Sequence, residues 1–347
     1  MKTPLFSLCT PTYGRGSYIG QTIDSVLKQT IADFEIIVVD DCSPDNTAEV
    51  VQSFSDKRII YLQNDVNLGV PENLNKAMSL AKGQYLILLE DHDLLEPTYL
   101  EEMLKVMNRY PTVGFAASGL FTIDENNQPL ERYVENLPEF MEGRKLLRRL
   151  LTRFDCPFSV TVTMRRTALT GVEPVFDAKY WWYADVNLWI RLAARCDFGY
   201  MAKPLLRFRT REDGHFLADR FWESVLCLDR IHRDNWHLLY PKSGVSSALD
   251  WLFFEWSKFK SVATMRAGKM LRNDLWTKED RESAHASLSF FGRVILNCVN
   301  ILPLHAVSGL RSLYLKSLRA RTKLNLERAV NDVQPINHKV EHETSHQ

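Results

Sequence analysis

Short, largely apolar runs alternate with longer amphipathic stretches along the first 110 residues. The runs at 5–9, 34–39 and 85–89 are rich in aliphatic side chains, which predicts strands that are covered on both faces. The stretches between them space their apolar residues as one face of a helix does. Strands that alternate with helices of this length imply an α/β fold, with a mostly parallel sheet and helices on both of its faces.

Four helices are predicted around these strands from capping residues and helix breakers. We expect Ser17 to cap the first helix, because a serine hydroxyl can accept a hydrogen bond from the free N–H groups of an opening turn. The second helix follows Thr47. The third begins at Pro71, where a proline costs no helical hydrogen bond, and it ends before Gly83. The fourth begins near Pro97 and spaces its apolar residues at helical intervals.

The pattern changes after residue 110. Segments at 113–124 and 159–164 predict further strands, and a helix is predicted over 183–196. A stretch rich in proline and arginine, 203–215, ends this part of the chain, and the segments beyond it are mostly typical of helices. We therefore predict a first domain over 1–215 with halves at 1–110 and 111–215, a helical region over 216–330 and a disordered tail over 331–347.

Composition and charge narrow the class of protein. With 45% hydrophobic and 25% charged residues, the chain has the balance of a soluble globular protein. Lys+Arg and Asp+Glu number 43 each, so no overall charge favours a nucleic acid as a partner. The six cysteines are scattered without paired spacing, which favours reduced thiols and a cytoplasmic location. The apolar run at the amino terminus is too short for a signal peptide.

One segment near the carboxyl end can contact a membrane surface. Residues 294–310 approach the length of a spanning helix, but they contain Pro303 and His305, so we interpret them as a core or interfacial helix. Several lysines and arginines follow. The whole segment 290–323 could bind anionic lipid headgroups at the inner face of the membrane. A core helix with a solvated basic end explains the same pattern equally well.

Each predicted strand of the first half ends in polar residues. The first is followed by TPTY (10–13), the second by DDCS (40–43) and the last by EDHD (90–93). Ligands of parallel sheets bind at the carboxyl ends of the strands. A tyrosine face and an aspartate can hold a flat base, and acidic and histidine groups can hold a divalent cation against a diphosphate. Together the three clusters favour a nucleotide-diphosphate ligand.

Three segments carry this candidate chemistry. They read FSLCTPTYGRGSYIGQTIDSVLKQTIADFEIIVVDDCSPDNT, NDVNLGVPENLNKAMSLAKGQYLILLEDHDLLEP and FDAKYWWYADVNLWIRLAARCDFGYMAKPLLRFR. In this order they resemble the opening of the family 2 glycosyltransferases, the segment that ends at the family's DxD metal motif, and the late segment with the catalytic base. The resemblance covers residues 4–215. It implies the GT-A fold and an inverting, metal-dependent transfer of a sugar from a nucleotide-diphosphate donor, with UDP favoured, to an acceptor hydroxyl.

The resemblance also implies roles for individual residues around the nucleotide. Tyr13 would stack on the base or border it, and Asp40 would accept a hydrogen bond from it. Where the family often has an arginine before the position of Asn75, this chain has Leu74, so one donor toward the diphosphate is absent there. The implied nucleotide-binding residues are Pro11, Thr12, Tyr13, Asp40, Asp41, Asn75 and Asp91.

The metal motif departs from the family in this chain. Alignment on the following proline puts Glu90 and His92 at the two acidic positions of DxD, which makes an ExH variant. The alternative register uses Asp91 and Asp93, which also share one face of an extended strand. We favour the first register on alignment. A histidine ligand favours Mn²⁺ over Mg²⁺ as the divalent cofactor.

Two later residues complete the implied site. Asp185 falls where the family has its general base, but the acidic residue that usually precedes the base is replaced by Ala184. His215 lies in the region that brings a late histidine to the metal or the diphosphate. The implied acceptor is a glycan or a lipid-linked intermediate in surface polysaccharide assembly.

Other interpretations remain open at the level of sequence. Each polar cluster could be a solvated loop or a helix cap, and an aspartate in a first helical turn can simply favour the helix dipole. The glycines at 14, 16 and 20 imitate a dinucleotide-binding fingerprint, which suggests an NAD(P)-dependent oxidoreductase. They begin too far beyond the strand, however, and that function leaves 90–93 unused. The departures from the family pattern also allow a nucleotide-sugar-binding protein that is catalytically weak.

Overall fold

The computed structural model describes residues 3–153, 156–210, 221–241, 247–258 and 282. They belong to one compact unit of the chain, Met1–Ile301. His215 and the segment 290–323 lie outside the described residues, and so does the tail at 331–347. The domain boundaries given above therefore stay predictions.

Ten strands of the described residues form one mixed sheet. Their order is β3-β2-β1-β4-β9-β6-β10-β5, with β7 paired to β6 and β8 paired to β10. The strands are β1 Phe6–Thr12, β2 Phe34–Asp40, β3 Ile59–Gln63, β4 Tyr85–Leu88, β5 Leu94–Leu95, β6 Val113–Ile123, β7 Pro129–Tyr133, β8 Phe140–Met141, β9 Thr163–Arg165 and β10 Asp197–Arg209.

Helices connect these strands and extend beyond them. Two short 3₁₀ helices, Arg166–Leu169 and Ala178–Tyr183, lie before the helix that carries Asp185. The α-helices are α1 Gly16–Leu27, α2 Thr47–Gln52, α3 Val70–Leu80, α4 Tyr99–Arg109, α5 Gly143–Thr152, α6 Ala184–Ala193, α7 Phe221–Leu239 and α8 247–258.

The parallel strands β3, β2, β1 and β4 bring their carboxyl ends to one edge of the sheet. The register pairs Thr12 of β1 with Asp40 of β2, and Asp40 in turn with Gln63 of β3. On the other side of β1, Cys9 pairs with Leu88, the last residue of β4. The segment 89–93 therefore leaves the sheet at this same edge, as the strand pattern predicted.

The two faces of the sheet bury separate apolar layers. In β1 and β2, alternate residues such as Leu8 and Val38 face α1 and α4, whereas Cys9 and Val39 face α3, α5 and α6. All four side chains are fully buried. This alternation follows from the period of two residues in a strand. It confirms the predicted α/β fold with a mostly parallel sheet and helices on both faces.

One strand prediction of the second half needs correction. The segment 159–164 forms only the three-residue strand β9, which is antiparallel to both of its neighbours. Residues 203–209, within the stretch that is predicted to end the first domain, supply the second half of β10. Its Pro204 lies where the register of β10 on β6 shifts. A proline fits such an irregularity because it has no N–H to donate to the ladder.

The cap of α1 also differs from the prediction. The helix begins at Gly16, and no side chain of its N-cap residue accepts a hydrogen bond from it. Instead the Gly16 N–H donates to Asp45 at 3.0 Å, and the N–H of Arg15 donates to Thr47 at 3.0 Å. The capping oxygens therefore come from the loop after β2 and from the first residue of α2, and Ser17 is not the N-cap residue.

Gly83, just before β4, permits a close approach of the backbone. A Cβ at this position would lie 2.6 Å from the backbone nitrogen of Ser7. We expect Gly83→Ala to lower the free energy of unfolding by about 2 kcal/mol, since the rigid backbone of β1 must shift. Denaturant unfolding measures the change. The control is Gly20→Ala, whose Cβ would meet the Val50 side chain at 3.2 Å and whose cost should stay below about 1 kcal/mol because helix propensity improves.

Candidate active site

Tyr13 marks the open end of the site. It follows β1 directly, and 51% of its surface is exposed, although it is an aromatic residue. Thr12 beside it is buried, and its hydroxyl finds no hydrogen-bond partner within the described part of the chain. Gly14 adopts a left-handed conformation (φ 64°) and donates its N–H to Ser43 at 2.9 Å. An exposed ring and an unused hydroxyl at the carboxyl edge can meet a ligand.

The Asp40 carboxylate at the end of β2 is fully buried and paired on both oxygens. It accepts from the Ser43 N–H at 2.8 Å and from the Tyr61 hydroxyl at 2.7 Å. Burial raises the pKa of Tyr61 well above its usual range, and the hydrogen bond to Asp40 raises it further. Each carboxylate oxygen can accept a second hydrogen bond, so these contacts leave acceptor capacity for a base.

Asp41 organises the loop that follows β3. One carboxylate oxygen accepts from the Asn64 side chain at 2.7 Å and from the Leu68 N–H at 2.8 Å, and the other accepts from the Gly69 N–H at 2.9 Å. The side chain is almost entirely buried. Asp41 thus shapes the wall beside Tyr13 through hydrogen bonds to the protein itself.

Asn64 extends this network toward α3. Its side chain donates to Asn73 at 3.0 Å and accepts from the Lys76 ammonium at 2.7 Å. Asn75, on the same helix, has both amide atoms engaged by one residue: it donates to the Phe176 carbonyl at 2.7 Å and accepts from the Phe176 N–H at 2.9 Å. The structure therefore places Asn75 in a tether to the segment before α6, and its nucleotide contact stays a prediction.

Glu90, His92 and Asp93 converge directly after β4. One potential ligand atom from each lies within 4.8 Å of the other two. The His92 Nε2 atom is 3.3 Å from a Glu90 oxygen and 4.0 Å from an Asp93 oxygen. The group thus combines Glu90 and His92 from one predicted register with Asp93 from the other.

Asp91 turns to a different set of partners. Its carboxylate lies 2.9 Å from the Nδ1 atom of His92 and 3.7 Å from the Nε atom of Arg15. Arg15 stands between the two glycines after β1, at the start of α1, where backbone N–H groups and the helix dipole favour an anion. The sequence reasoning missed Arg15. An arginine between glycines at a strand-to-helix turn could have identified it.

The ionisable groups of this cluster shift one another's pKa values. Burial raises the pKa values of the Glu90 and Asp93 carboxyls, and neighbouring carboxylates add to both shifts. Burial alone would lower the pKa of His92, but the hydrogen bond to Asp91 and the charges of Asp93 and Glu90 raise it to about 9. Several buried carboxylates around one imidazole are stabilised by positive charge.

The donor set fits a divalent cation. The Asp93 side chain is 0% exposed, and its Oδ2 atom has no hydrogen-bond partner among the described residues. Leaving a carboxylate oxygen buried and unpaired is costly unless it meets a ligand. Two carboxylates and one imidazole are ordinary ligands of first-row divalent ions. These residues could therefore hold a metal ion.

Asp185 lies in the first turn of α6, near the cation-binding group. Burial raises the pKa of its carboxyl to about 7, and the charge of Glu90 contributes to the shift. Trp181, four residues earlier, has a left-handed backbone (φ 37°) in the turn that leads into α6. A carboxylate with a pKa near neutrality can act as a general base. His215 lies outside the described residues, so its distance from this group is not defined.

Comparison with known proteins identifies the family. The family model described as Glycosyl transferase family 2 matches residues 7–169. The chain is 32% identical over 189 residues to an Escherichia coli protein named UDP-Glc:alpha-D-GlcNAc-diphosphoundecaprenol beta-1,3-glucosyltransferase WfgD, which covers 54% of this chain and 69% of that protein. It is 29% identical over 224 residues to an uncharacterised glycosyltransferase of Methanocaldococcus jannaschii, covering 63% and 75%. The chain belongs to glycosyltransferase family 2.

Solved structures confirm the fold. Staphylococcus aureus TarS 1–349 in complex with UDP-GlcNAc has a TM-score of 0.51 and 18% identity, covering 74% of this chain and 81% of that one. The mannosyltransferase PcManGT of Pyrobaculum calidifontis, in complex with GDP-Man and Mn²⁺, has a TM-score of 0.51 and 15% identity over 94% and 85%. The fold is that of the GT-A glycosyltransferases, as predicted.

Family membership also decides between two of the activities considered above. It confirms nucleotide-sugar-dependent glycosyl transfer as the function of the class and gives no support to the NAD(P)-dependent oxidoreductase. Within the described residues, no helix has the length and apolar character needed to cross a bilayer.

Asp41→Asn tests the role of Asp41 in shaping the wall beside Tyr13. The substitution replaces an accepting oxygen by an NH₂ group that faces backbone donors of Leu68 or Gly69. We expect the free energy of unfolding to fall by about 2 kcal/mol, as for other hydrogen bonds to a charged group. Denaturant titration measures it. Asp65→Asn, on the exposed side of the same loop, should change it by less than about 0.5 kcal/mol; equal losses would contradict this role for Asp41.

Proposed function

We propose that this protein is an inverting glycosyltransferase that moves a sugar from a UDP-sugar to an acceptor hydroxyl. One observation carries the proposal: Asp185, whose carboxyl pKa burial raises to about 7, lies close enough to Glu90 for the charge of Glu90 to raise it further, so a candidate base lies near the candidate cation-binding group. An inverting displacement needs both a base for the acceptor and positive charge for the departing diphosphate.

The nucleotide would bind along the edge formed by β1, β2 and the loop after β3. Tyr13 offers an exposed ring to the base, and Asp40 keeps acceptor capacity for a base N–H. Pro11, Thr12 and Asp41 would complete the wall, and Arg15, paired with Asp91, would meet the diphosphate. UDP is favoured because the WfgD relative takes UDP-Glc and the TarS neighbour binds UDP-GlcNAc.

Glu90, His92 and Asp93 would hold a divalent cation, with Mn²⁺ favoured over Mg²⁺. The Asp93 oxygen that has no partner among the described residues and the imidazole of His92 support this choice, as does the Mn²⁺ bound to the PcManGT neighbour. When bound, the cation would offset negative charge on the departing nucleoside diphosphate.

Asp185 would move the proton in the chemical step. Its carboxylate takes the hydrogen of the acceptor hydroxyl while that oxygen forms a bond to the anomeric carbon of the sugar. The bond from this carbon to the diphosphate oxygen breaks at the same time, and its electron pair leaves with the nucleotide. One displacement inverts the configuration, and no covalent enzyme intermediate forms.

The acceptor would be a glycan or a lipid-linked intermediate of surface polysaccharide assembly. Support comes from the WfgD relative, whose name gives a diphosphoundecaprenol-linked acceptor, and from a Bacillus subtilis relative named as a putative teichuronic acid biosynthesis glycosyltransferase. Reaction at the cytoplasmic face, with peripheral membrane contact through 290–323, remains part of this proposal.

Asp185→Asn tests the base. It keeps the shape of the side chain but cannot accept a proton, so we expect kcat to fall by about 10²- to 10⁴-fold while UDP binding stays unchanged. The assay is transfer or donor hydrolysis with Mn²⁺, with binding followed by thermal shift. If wild type and variant bind UDP but are equally inactive with every donor, the protein is a catalytically weak nucleotide-sugar-binding protein.

The pH profile of the wild-type enzyme gives a second readout of the same base. Asp185 must be deprotonated to act, and burial raises its pKa to about 7. Below that pH the rate should fall about tenfold per pH unit, and above it the rate should level off. A bound cation should move the midpoint downward because it offsets the charge of Glu90. A rate that is flat from pH 5 to 8 would contradict the assignment.

Asp93→Asn tests the cation-binding group. An amide keeps an oxygen for the Arg209 N–H, which Asp93 Oδ1 accepts at 2.9 Å, but it replaces the unpaired oxygen by NH₂. With UDP present, Mn²⁺ should raise the Tm of the wild type, because a ligand of the folded state stabilises it. The variant should lose most of this rise. Asp24→Asn, in an exposed ion pair of α1, should retain it. Equal Mn²⁺ responses in all three proteins would exclude Asp93 as a ligand.

A further inference from the structure

Arg209, the last residue of β10, is a buried arginine whose side chain reaches three separate parts of the fold. Only 3% of its surface is exposed. All five N–H donors of its guanidinium group are used. They donate to the carbonyls of His92, Asp124 and Glu125 and to the side-chain oxygens of Gln21 and Asn127, over 2.7–3.0 Å.

The same residue also fixes Asp93 through its main chain. The Arg209 N–H donates to the Oδ1 atom of Asp93 at 2.9 Å, while the Nε atom of Arg209 donates to the neighbouring His92 carbonyl at 2.9 Å. The Oδ1 atom, which lies 4.0 Å from the His92 Nε2 atom, is thus held in place, and the Oδ2 atom has no partner among the described residues. One residue thus holds the carboxylate of Asp93 and the backbone of His92, two of the three candidate cation ligands.

The partners of the Arg209 guanidinium are all uncharged. The five accepting atoms are carbonyl or amide oxygens, and the ring of Tyr18 lies against the group with the guanidinium carbon 4.8 Å from its centroid. A planar fork of five donors can satisfy acceptors in five directions, whereas a lysine offers three donors from a single point. The arrangement therefore depends on the shape of the guanidinium in addition to its charge.

Strand pairing brings Arg209 to this position. β5, directly after the cation-binding group, pairs antiparallel with β10, so that Leu94 faces Arg207 and Leu95 faces Leu206. On its other side β10 pairs with β6, where Arg209 faces Ile123. The turn between β6 and β7, residues 124–127, consequently lies within reach of the same guanidinium.

We propose that Arg209 is a positioning residue for the cation site, which its guanidinium also joins to the 124–127 turn and to α1. The proposal rests on the proposed function in one respect, namely that Glu90, His92 and Asp93 hold a divalent cation. Arg209 touches neither substrate nor cation. It fixes the backbone at His92 and the carboxylate of Asp93, so that the cation meets ligands already in place. Residues that orient metal ligands commonly change metal affinity by about 10- to 100-fold.

The chain offers a matched control in Arg165. Its guanidinium donates to the carbonyls of Val113 and Met107 and to the Tyr85 hydroxyl at 3.0–3.2 Å, and it lies 5.3 Å from the centroid of the Tyr85 ring. Tyr85 and Val113 are the first residues of β4 and β6, so Arg165 makes the same kinds of contact at the opposite edge of the sheet. Arg165→Lys should lower stability without affecting the cation site.

The test measures Mn²⁺ affinity in the full chain with UDP at saturation, by thermal shift and by the electron paramagnetic resonance of free Mn²⁺. We expect Arg209→Lys to raise the apparent Kd for Mn²⁺ by at least about tenfold, with activity partly recovered at high Mn²⁺. Arg165→Lys should lower Tm and leave this Kd unchanged. If Arg209→Lys loses stability but binds Mn²⁺ within twofold of wild type, Arg209 is only structural and the proposal is overturned.

A milder variant keeps the test decisive if Arg209→Lys does not fold. Asn127 has a positive φ of 64°, which glycine adopts freely, so Asn127→Gly removes one acceptor of the guanidinium without straining the turn. We expect a smaller rise in the Mn²⁺ Kd, of about threefold. If the Kd of this variant is unchanged, the proposal is overturned. If the wild type shows no Mn²⁺ binding with UDP, the proposed cation site and this inference are both overturned. If the wild type binds Mn²⁺ but the substitutions leave its Kd unchanged, only the role of Arg209 is overturned.

Discussion

The parallel pairing of β1 with β2 on one side and β4 on the other is the constraint on which the site depends. It places Thr12 and Asp40 side by side at one edge and delivers the residues after β4 to the same edge. Acidic groups buried at such an edge need positive or hydrogen-bonding partners. Asp40 and Asp41 obtain them from the protein, from hydroxyl, amide and backbone donors. Among the described residues Asp93 obtains only one, the Arg209 N–H, and its Oδ2 atom has no partner there.

The acidic residues after β2 and those after β4 are therefore stabilised in different ways when they are buried. Both carboxylate oxygens of Asp41 accept hydrogen bonds that shape a loop, whereas Glu90 and Asp93 lie close to each other and to His92. The upward shifts of their pKa values mean that the Glu90 and Asp93 carboxyls bind protons more readily than free carboxyls do. A cation that enters must displace those protons, so its affinity is linked to pH. The Glu90 charge also reaches Asp185, which couples this exchange to the base.

The local sequence pattern predicted the sheet, the helices and the polar clusters. It did not predict contacts between residues that lie far apart along the chain. The buried stripe of α1, with Ile19, Ile23 and Val26, follows from helical spacing alone. Its cap does not, because Asp45 reaches Gly16 from 29 residues away. The role of Arg209 was equally invisible, since its acceptors lie 82 to 188 residues away along the chain. The choice between metal registers needed coordinates because the backbone turns after β4 and brings Glu90, His92 and Asp93 together.

The tether between Asn75 and Phe176 has a consequence for how this enzyme could diversify. Asn75 grips the Phe176 N–H and carbonyl, which every residue type except proline provides. The attachment therefore does not depend on which side chains occupy the segment that leads to Asp185. Mutations there can accumulate, and with them new acceptor preferences can evolve, while the anchor to the donor half persists. Asn75 itself cannot be replaced so freely, because its amide donates to one backbone group of Phe176 and accepts from the other.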